Sequence, residues 1–142
     1  MVNGLVIAQQ NTYMRSFFLF ILSISLGFAP MSKDIGNDIA ATIRAGNAKQ
    51  LSNYFSNNVD LTVLGKEEMY SKAQAEQILQ NFFQKNPPRS FNLKQHASNP
   101  SASHYGIGTY TNTQNARFRI YFLLKKIGNQ AFIQQFSIEP EN

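Results

Sequence analysis

Between Arg117 and Glu139 the chain reads RFRIYFLLKKIGNQAFIQQFSIE, and this stretch limits the fold more than any other. Phe118, Ile120, Phe122 and Leu124 alternate with Arg117, Arg119, Tyr121 and Leu123. A period of two belongs to a strand with one face on a core. Gly128-Asn129 suits a tight hairpin turn, and Ala131–Glu139 returns with Phe132, Phe136 and Ile138 on its expected apolar side. Two long strands with one greasy face need a cover, and the residues before them have to supply it.

They do so as helices first. Asp34 is placed to cap a helix whose Ile35, Ile39 and Ile43 recur at spacing four, and Gly46 suits the left-handed residue after its end. Asn47 then caps a short second helix with Leu51, Tyr54 and Phe55 as its buried side. Val59, Leu61 and Val63 alternate with Asp60 and Thr62 as a strand, and Gly65-Lys66 turns into a second strand around Glu68–Tyr70. Ser71 and Gln74 have capping-box spacing ahead of Ala75, Ile78, Leu79, Phe82 and Phe83, and Pro87-Pro88 ends that helix. Arg89–Ala97 and His104–Thr113 complete a meander, separated by a loop at Asn99-Pro100-Ser101. Gly106 and Gly108 inside a strand mark a sharp bend or a close approach. Helices gathered on one face of an antiparallel sheet make a segregated α+β domain.

The N-terminal residues read as an address. RSFFLFILSISLGFAP carries one charge, Arg15, followed by a run shorter than the roughly 20 apolar residues of a membrane span. Small residues Ser25, Gly27 and Ala29 stand at its far end, as signal-peptide cleavage requires. Residues 14–29 are therefore expected to be a signal peptide starting at Met14, with 1–13 a misassigned extension, 30–33 a linker and 34–142 one domain. A buried core helix or an uncleaved anchor is the alternative. The expected location is periplasmic or extracellular.

Export makes the absence of cysteine informative. Disulfides, thiolate metal sites and thiol nucleophiles are excluded, so packing alone must hold a mature domain of about 110 residues, which is long enough for that. Thirteen Lys plus Arg stand against eight Asp plus Glu, with no run of three basic residues, and this argues against nucleic-acid binding.

GKEEMYSKAQAEQILQNFF, HYGIGTYT and the C-terminal hairpin together resemble the nuclear transport factor 2-like (cystatin-like) cone. More narrowly, residues 34–139 resemble a family of secreted bacterial domains named domain of unknown function 4783. The resemblance implies about three N-terminal helices on one face of a strongly bent antiparallel sheet. It leaves activity open, because the superfamily holds isomerases, dehydratases, polyketide cyclases and non-catalytic dimerisation modules.

Enzymes of this shape carry acids, bases or tyrosines between sheet and helices. Tyr54, Asp60 and Tyr70 are the pocket candidates, with Asp38 a further carboxylate. Each has a plainer reading. Asp38 suits a helix first turn, Asp60 a solvated strand face, and the tyrosines the core margin. Glu67-Glu68 reads as solvated hairpin charge. His96 and His104 lie on neighbouring strands but lack a third ligand, so no metal or cofactor is expected. No P-loop, GxSxG or dinucleotide fingerprint is present.

The second sheet face is richer. Tyr110, Arg117, Arg119, Tyr121, Leu123 and Ile133 are expected there, and aromatic, aliphatic and Arg side chains in one patch have the composition of a protein interface. An ordinary wet face with long side chains is the alternative. Domains of the resembled fold often dimerise through that face. The leading expectation is thus an exported, non-catalytic binding or assembly module, homodimeric and able to hold a small apolar ligand. The competing one is a small-pocket isomerase- or hydrolase-type enzyme.

Overall fold

The computed structural model of the protein describes residues 34–98 and 103–142. The expected signal peptide, the segments flanking it and the Asn99–Ser101 loop lie outside the described residues. In chain order the elements are α1 (Ile35–Arg44), α2 (Ala48–Ser52), β1 (Phe55–Val63), β2 (Lys66–Ser71), α3 (Lys72–Lys85), β3 (Pro88–Ser98), β4 (Ser103–Asn112), β5 (Arg117–Ile127) and β6 (Gln130–Pro140). Among these described elements, no helix is long and apolar enough to cross a membrane.

The three helices start where side-chain oxygens satisfy their first N–H groups. Gly36 N–H donates to Asp34 Oδ1 at 3.0 Å, and Gln50 N–H donates to Asn47 Oδ1 at 3.0 Å. At α3 the full reciprocal box forms: Gln74 N–H donates to Ser71 Oγ at 3.3 Å, and Ser71 N–H donates to Gln74 Oε1 at 3.0 Å. The helices cover one side of a single six-stranded sheet that curves without closing, ordered β2-β1-β6-β5-β4-β3. Ile39, Ile43, Leu51, Leu79, Phe82 and Phe83 meet Phe118, Ile120, Phe122, Leu124, Phe136 and Ile138 in one core cluster. Arg44 ties α1 to the sheet edge, its Nε donating to the Phe91 carbonyl at 2.9 Å.

The third helix follows the first hairpin, in the order the residue patterns predict, and among the described residues two helices precede the sheet, so the three N-terminal helices that the resemblance implies are matched only roughly. Three differences from the sequence reading are informative. The second helix stops at Ser52, and Phe55 reaches the core as the first residue of β1. The β1–β2 hairpin joins the meander through a parallel β1–β6 pairing, a long-range contact that local periodicity does not encode. The β5–β6 register shifts at Leu123/Leu124, which pair with Gln135 and Ile133 and leave Gln134 as the extra residue. That bulge reverses the phase of β6, burying Ile133 completely while Phe132 stays half-buried.

The two strand glycines are filled positions. Phe122 pairs with Gly106, and a Cβ on Gly106 would lie 2.6 Å from the Phe122 Cε1. A Cβ on Gly108 would lie 2.5 Å from the Asn92 carbonyl oxygen and 2.7 Å from the Phe91 ring. Aromatic rings lie over backbone that lacks side chains, so the bent strand closes onto phenylalanine and leaves no hollow there.

The β1–β2 turn carries the opposite kind of local conflict. Leu64 has φ 51° and Gly65 φ 81°, a pair of left-handed residues that a two-residue hairpin favours as Asn-Gly. A leucine there is strained, and its side chain is 52% exposed, so packing does not compensate. Leu64→Asn should raise stability by about 1 kcal/mol. An unchanged denaturation midpoint would mean that Leu64 is held by something other than its own turn.

Candidate functional site

Two surfaces qualify. The first is the sheet face opposite the helices. Register decides its membership, because residues paired across a ladder share a face. Thr109 pairs with Arg119, Ile107 with Tyr121, and Tyr105 with Leu123. On the other side of β5, Glu139 pairs with Arg119, Ser137 with Tyr121, and Gln135 with Leu123. Gln135 in turn pairs with Asp60, and Asp60 with Met69. A row Met69, Asp60, Gln135, Leu123, Tyr105 thus crosses five strands, with Glu67, Thr62, Ser137, Tyr121 and Ile107 beside it. Tyr105 and Tyr121 stack with ring centroids 6.3 Å apart, and Met69 is 62% exposed.

Arg117, Arg119, Tyr121 and Leu123 therefore lie where expected, the two arginines exposed and the other two half-buried. Tyr110 and Ile133 do not. Tyr110 pairs with Phe118 and is fully buried against Phe82, Phe83 and Phe118, its hydroxyl donating to the Asn86 carbonyl at 2.5 Å. The alternation correctly groups Tyr110 with the glycines, but that group faces inward because rings occupy the glycine positions. Burial pushes the Tyr110 hydroxyl pKa well above its ordinary value, so it serves as a hydrogen-bond donor. Ile133 is displaced by the β6 bulge.

One end of the face carries a charge cluster. Glu141 N–H donates to the Arg117 carbonyl at 2.9 Å, and its carboxylate lies 3.3 Å from both Lys94 Nζ and Arg117 Nη2. Its pKa is lowered, first by the neighbouring Thr109 hydroxyl, which does not complete a full hydrogen bond, and then by Lys94 and Arg117. A carboxyl whose folded pKa is depressed stabilises the fold above its ordinary value near 4.5, and loses that contribution as pH falls through the folded pKa. Glu141→Gln should flatten this acidic limb of the stability profile, measured as denaturation midpoint against pH. A limb that persists unchanged would assign it to other carboxylates.

The second surface is a cleft of about 460 Å³ between the start of α1, the Asn53-Tyr54 link and the β5–β6 hairpin. Of the three pocket candidates only Tyr54 lines it. Asp60 belongs to the open face, on the other side of its strand from the buried Val59 and Leu61. Tyr70 packs at the core margin and donates its hydroxyl to Glu68 Oε2 at 2.9 Å. The pocket candidates Tyr54 and Asp60 therefore lie on different surfaces. The backbone register sets His96 opposite Gly106 and His104 opposite Ser98, diagonal neighbours on adjacent strands. Among the described residues no three metal-ligating side chains cluster. Sequence reasoning missed Tyr105, Ile107 and Met69 on the open face and Phe132 in the cleft, whereas Asp38, named as a further carboxylate, does line the cleft. Pairing the β4–β5 hairpin through Tyr110 and Phe118 would have found the first two.

Residues 36–139 match the family described as Domain of unknown function (DUF4783). The chain belongs to that family. A crystal structure of a DUF4783 protein from Bacteroides uniformis is 25% identical, covers 77% of this chain and 99% of its own, and superposes with TM-score 0.72. One from Bacteroides ovatus is 30% identical over 78% of this chain and 96% of its own, with TM-score 0.70. More distantly, an NTF2-like protein of unknown function from Shewanella baltica, 10% identical over 75% of this chain and 87% of its own, shares the fold at TM-score 0.58. None of the proteins with curated descriptions matches the chain. This DUF4783 domain thus has the NTF2-like, cystatin-like α+β architecture.

Proposed function

We propose that this DUF4783 domain is an exported, non-catalytic assembly module that pairs with a second copy of itself through the open sheet face. The observation that carries the reading is the row built on Tyr105, Ile107, Tyr121 and Leu123, half-buried side chains on the face opposite the three described helices. Its charges are arranged to complement a copy of themselves: Asp60 and Glu67 lie toward the β2 edge, and Arg117, Arg119 and Lys125 lie along β5. A two-fold axis through such a face can set one copy's acids against the other's bases. The apolar leader at 14–29 supports a periplasmic or extracellular location. The enzyme reading has less support, since Tyr54 and Asp60 lie on different surfaces and phenylalanine rings fill the sheet's bent region. For the same reason a small apolar ligand inside the cone has little support.

Light scattering of the mature protein tests the reading. A dimer is expected, and Tyr121→Glu should weaken it by about 2 kcal/mol or more by placing a charge in the centre of the contact. A monomer at high concentration, or a dimer indifferent to Tyr121→Glu, would remove the claim.

A further inference from the structure

We infer that the cleft beside Tyr54 is a binding site for a neutral sugar, with a disaccharide as the ligand that engages both of its lobes. The site is independent of the open-face reading and stands or falls without it. The main lobe, of about 460 Å³, is bounded by Ile35, Asn53, Tyr54, Asn129, Gln130 and Phe132. A second lobe of about 400 Å³ shares Asn53 and Tyr54 and runs on to Thr42 and Gln50. Volumes of this size accept a small molecule rather than a macromolecular segment.

The lining selects the ligand class. Side-chain amides bound the two lobes at Gln50, Asn53, Asn129 and Gln130, and none of these amides is spent on a partner among the described residues. A primary amide offers N–H donors and a carbonyl acceptor without a net charge, and a sugar hydroxyl likewise both donates and accepts. Tyr54 and Phe132 are half-buried aromatic residues, and a flat ring is the surface on which the C–H face of a sugar packs. Charge points the same way. Among the described residues bounding either lobe there is no lysine or arginine, so a phosphate or carboxylate ligand would enter without a cationic partner. Asp38 also bounds both lobes, but it is engaged within the chain and takes no part in the choice. A wholly apolar ligand would strip water from the amides and return no hydrogen bond.

The cleft is also held in shape before any ligand arrives. Asn53 N–H donates to the Gln50 carbonyl at 3.2 Å, and Tyr54 N–H donates to the Leu51 carbonyl at 3.0 Å. The Tyr54 carbonyl accepts from Ile133 N–H at 2.6 Å, which ties this segment to β6. Asn129 and Gln130 are placed by the β5–β6 turn, where Ile127 pairs with Gln130 and Gly128 takes φ 62°. The backbone that carries the amides and the aromatic residues is thus fixed, which lowers the ordering cost of binding.

Maltose, cellobiose and lactose are the probes, with sorbitol as a polyol that lacks the ring and adenosine as a ligand that offers a base instead. Each is titrated into the full chain and followed by NMR at the Tyr54 and Phe132 resonances. At least one disaccharide should bind with a Kd of about 1 mM, roughly tenfold more tightly than sorbitol. Asn53→Ala and Gln130→Ala should each weaken that disaccharide about fivefold, and Phe132→Leu should weaken it by a similar factor. Asn53 and Gln130 are exposed, so both variants should fold, which a thermal melt checks. Should either not fold, the ratio of disaccharide to sorbitol binding and the place of the shifts on the unmodified chain decide. No disaccharide binding at about 10 mM, equal binding of sorbitol, or adenosine binding more tightly than all three sugars would overturn the assignment. So would shifts confined to another surface, or affinity indifferent to both amide variants.

Discussion

Gly108→Ala is expected to lower stability by about 3 kcal/mol, the upper end of what an added methyl costs in a packed interior. The new Cβ would stand 2.5 Å from the Asn92 carbonyl oxygen and 2.7 Å from the Phe91 ring. Neither can retreat easily. Asn92 is part of the β3 backbone paired to β4, and Phe91 is only 1% exposed. Gly65→Ala is the control that separates lack of space from backbone strain. Gly65 has φ +81° but nothing within 4 Å of an added Cβ, so its cost should stay near 1 kcal/mol. Chemical denaturation of both variants reads the difference as a midpoint shift at constant slope. A Gly108→Ala loss no greater than that of Gly65→Ala would mean that β3 and β4 part readily, and the filled-glycine account would fail.

Asn112→Ala should cost a similar amount, about 3 kcal/mol, by a different route. Asn112 is 1% exposed, and its Oδ1 accepts from Gln114 N–H at 3.0 Å and from Ala116 N–H at 2.8 Å. Its Nδ2 donates to Asn86 Oδ1 at 3.0 Å, joining the β4–β5 loop to the end of α3. Asn86 also accepts the Tyr110 hydroxyl through its carbonyl, so truncation strands polar groups next to a buried aromatic cluster. Asn112→Asp keeps the oxygen acceptor and loses the amide donor. It should therefore cost less than alanine if the loop N–H groups dominate. Equal losses would shift the weight to the Asn86 contact.

These two positions also show where sequence reasoning reaches and where it stops. The capping box at Ser71 and Gln74, the isoleucine stripe of α1 and the phenylalanine face of β5 are local patterns, and each is read from neighbours within a turn or a strand. The glycines were visible as a place of close approach, yet nothing local says which ring fills them or on which side. Tyr110 was assigned to the wrong face for that reason, and Ile133 because a single extra residue in β6 reverses a period of two. Asp60 reads as polar and accessible from its strand, which is correct. Its separation from Tyr54 depends on how β1 turns within the sheet. The cleft was legible only in part, through Tyr54 and Asp38, because Phe132 stands 94 positions beyond Asp38 in the chain.

Short-range order was therefore largely settled by the amino acids themselves: which segments coil and which extend, apart from the Tyr54-Phe55 boundary, where caps and turns fall, and that one side of each long strand must be buried. Hydrogen bonds between neighbours and the repeat distance of each backbone conformation are enough for that. The parallel pairing of β1 with β6, the bulge, the ring-filled glycines, the row across five strands and the cleft beside Tyr54 were decided by tertiary packing. They bring together residues distant in sequence, and their free energy comes from apolar area and polar partners that exist only once those residues meet.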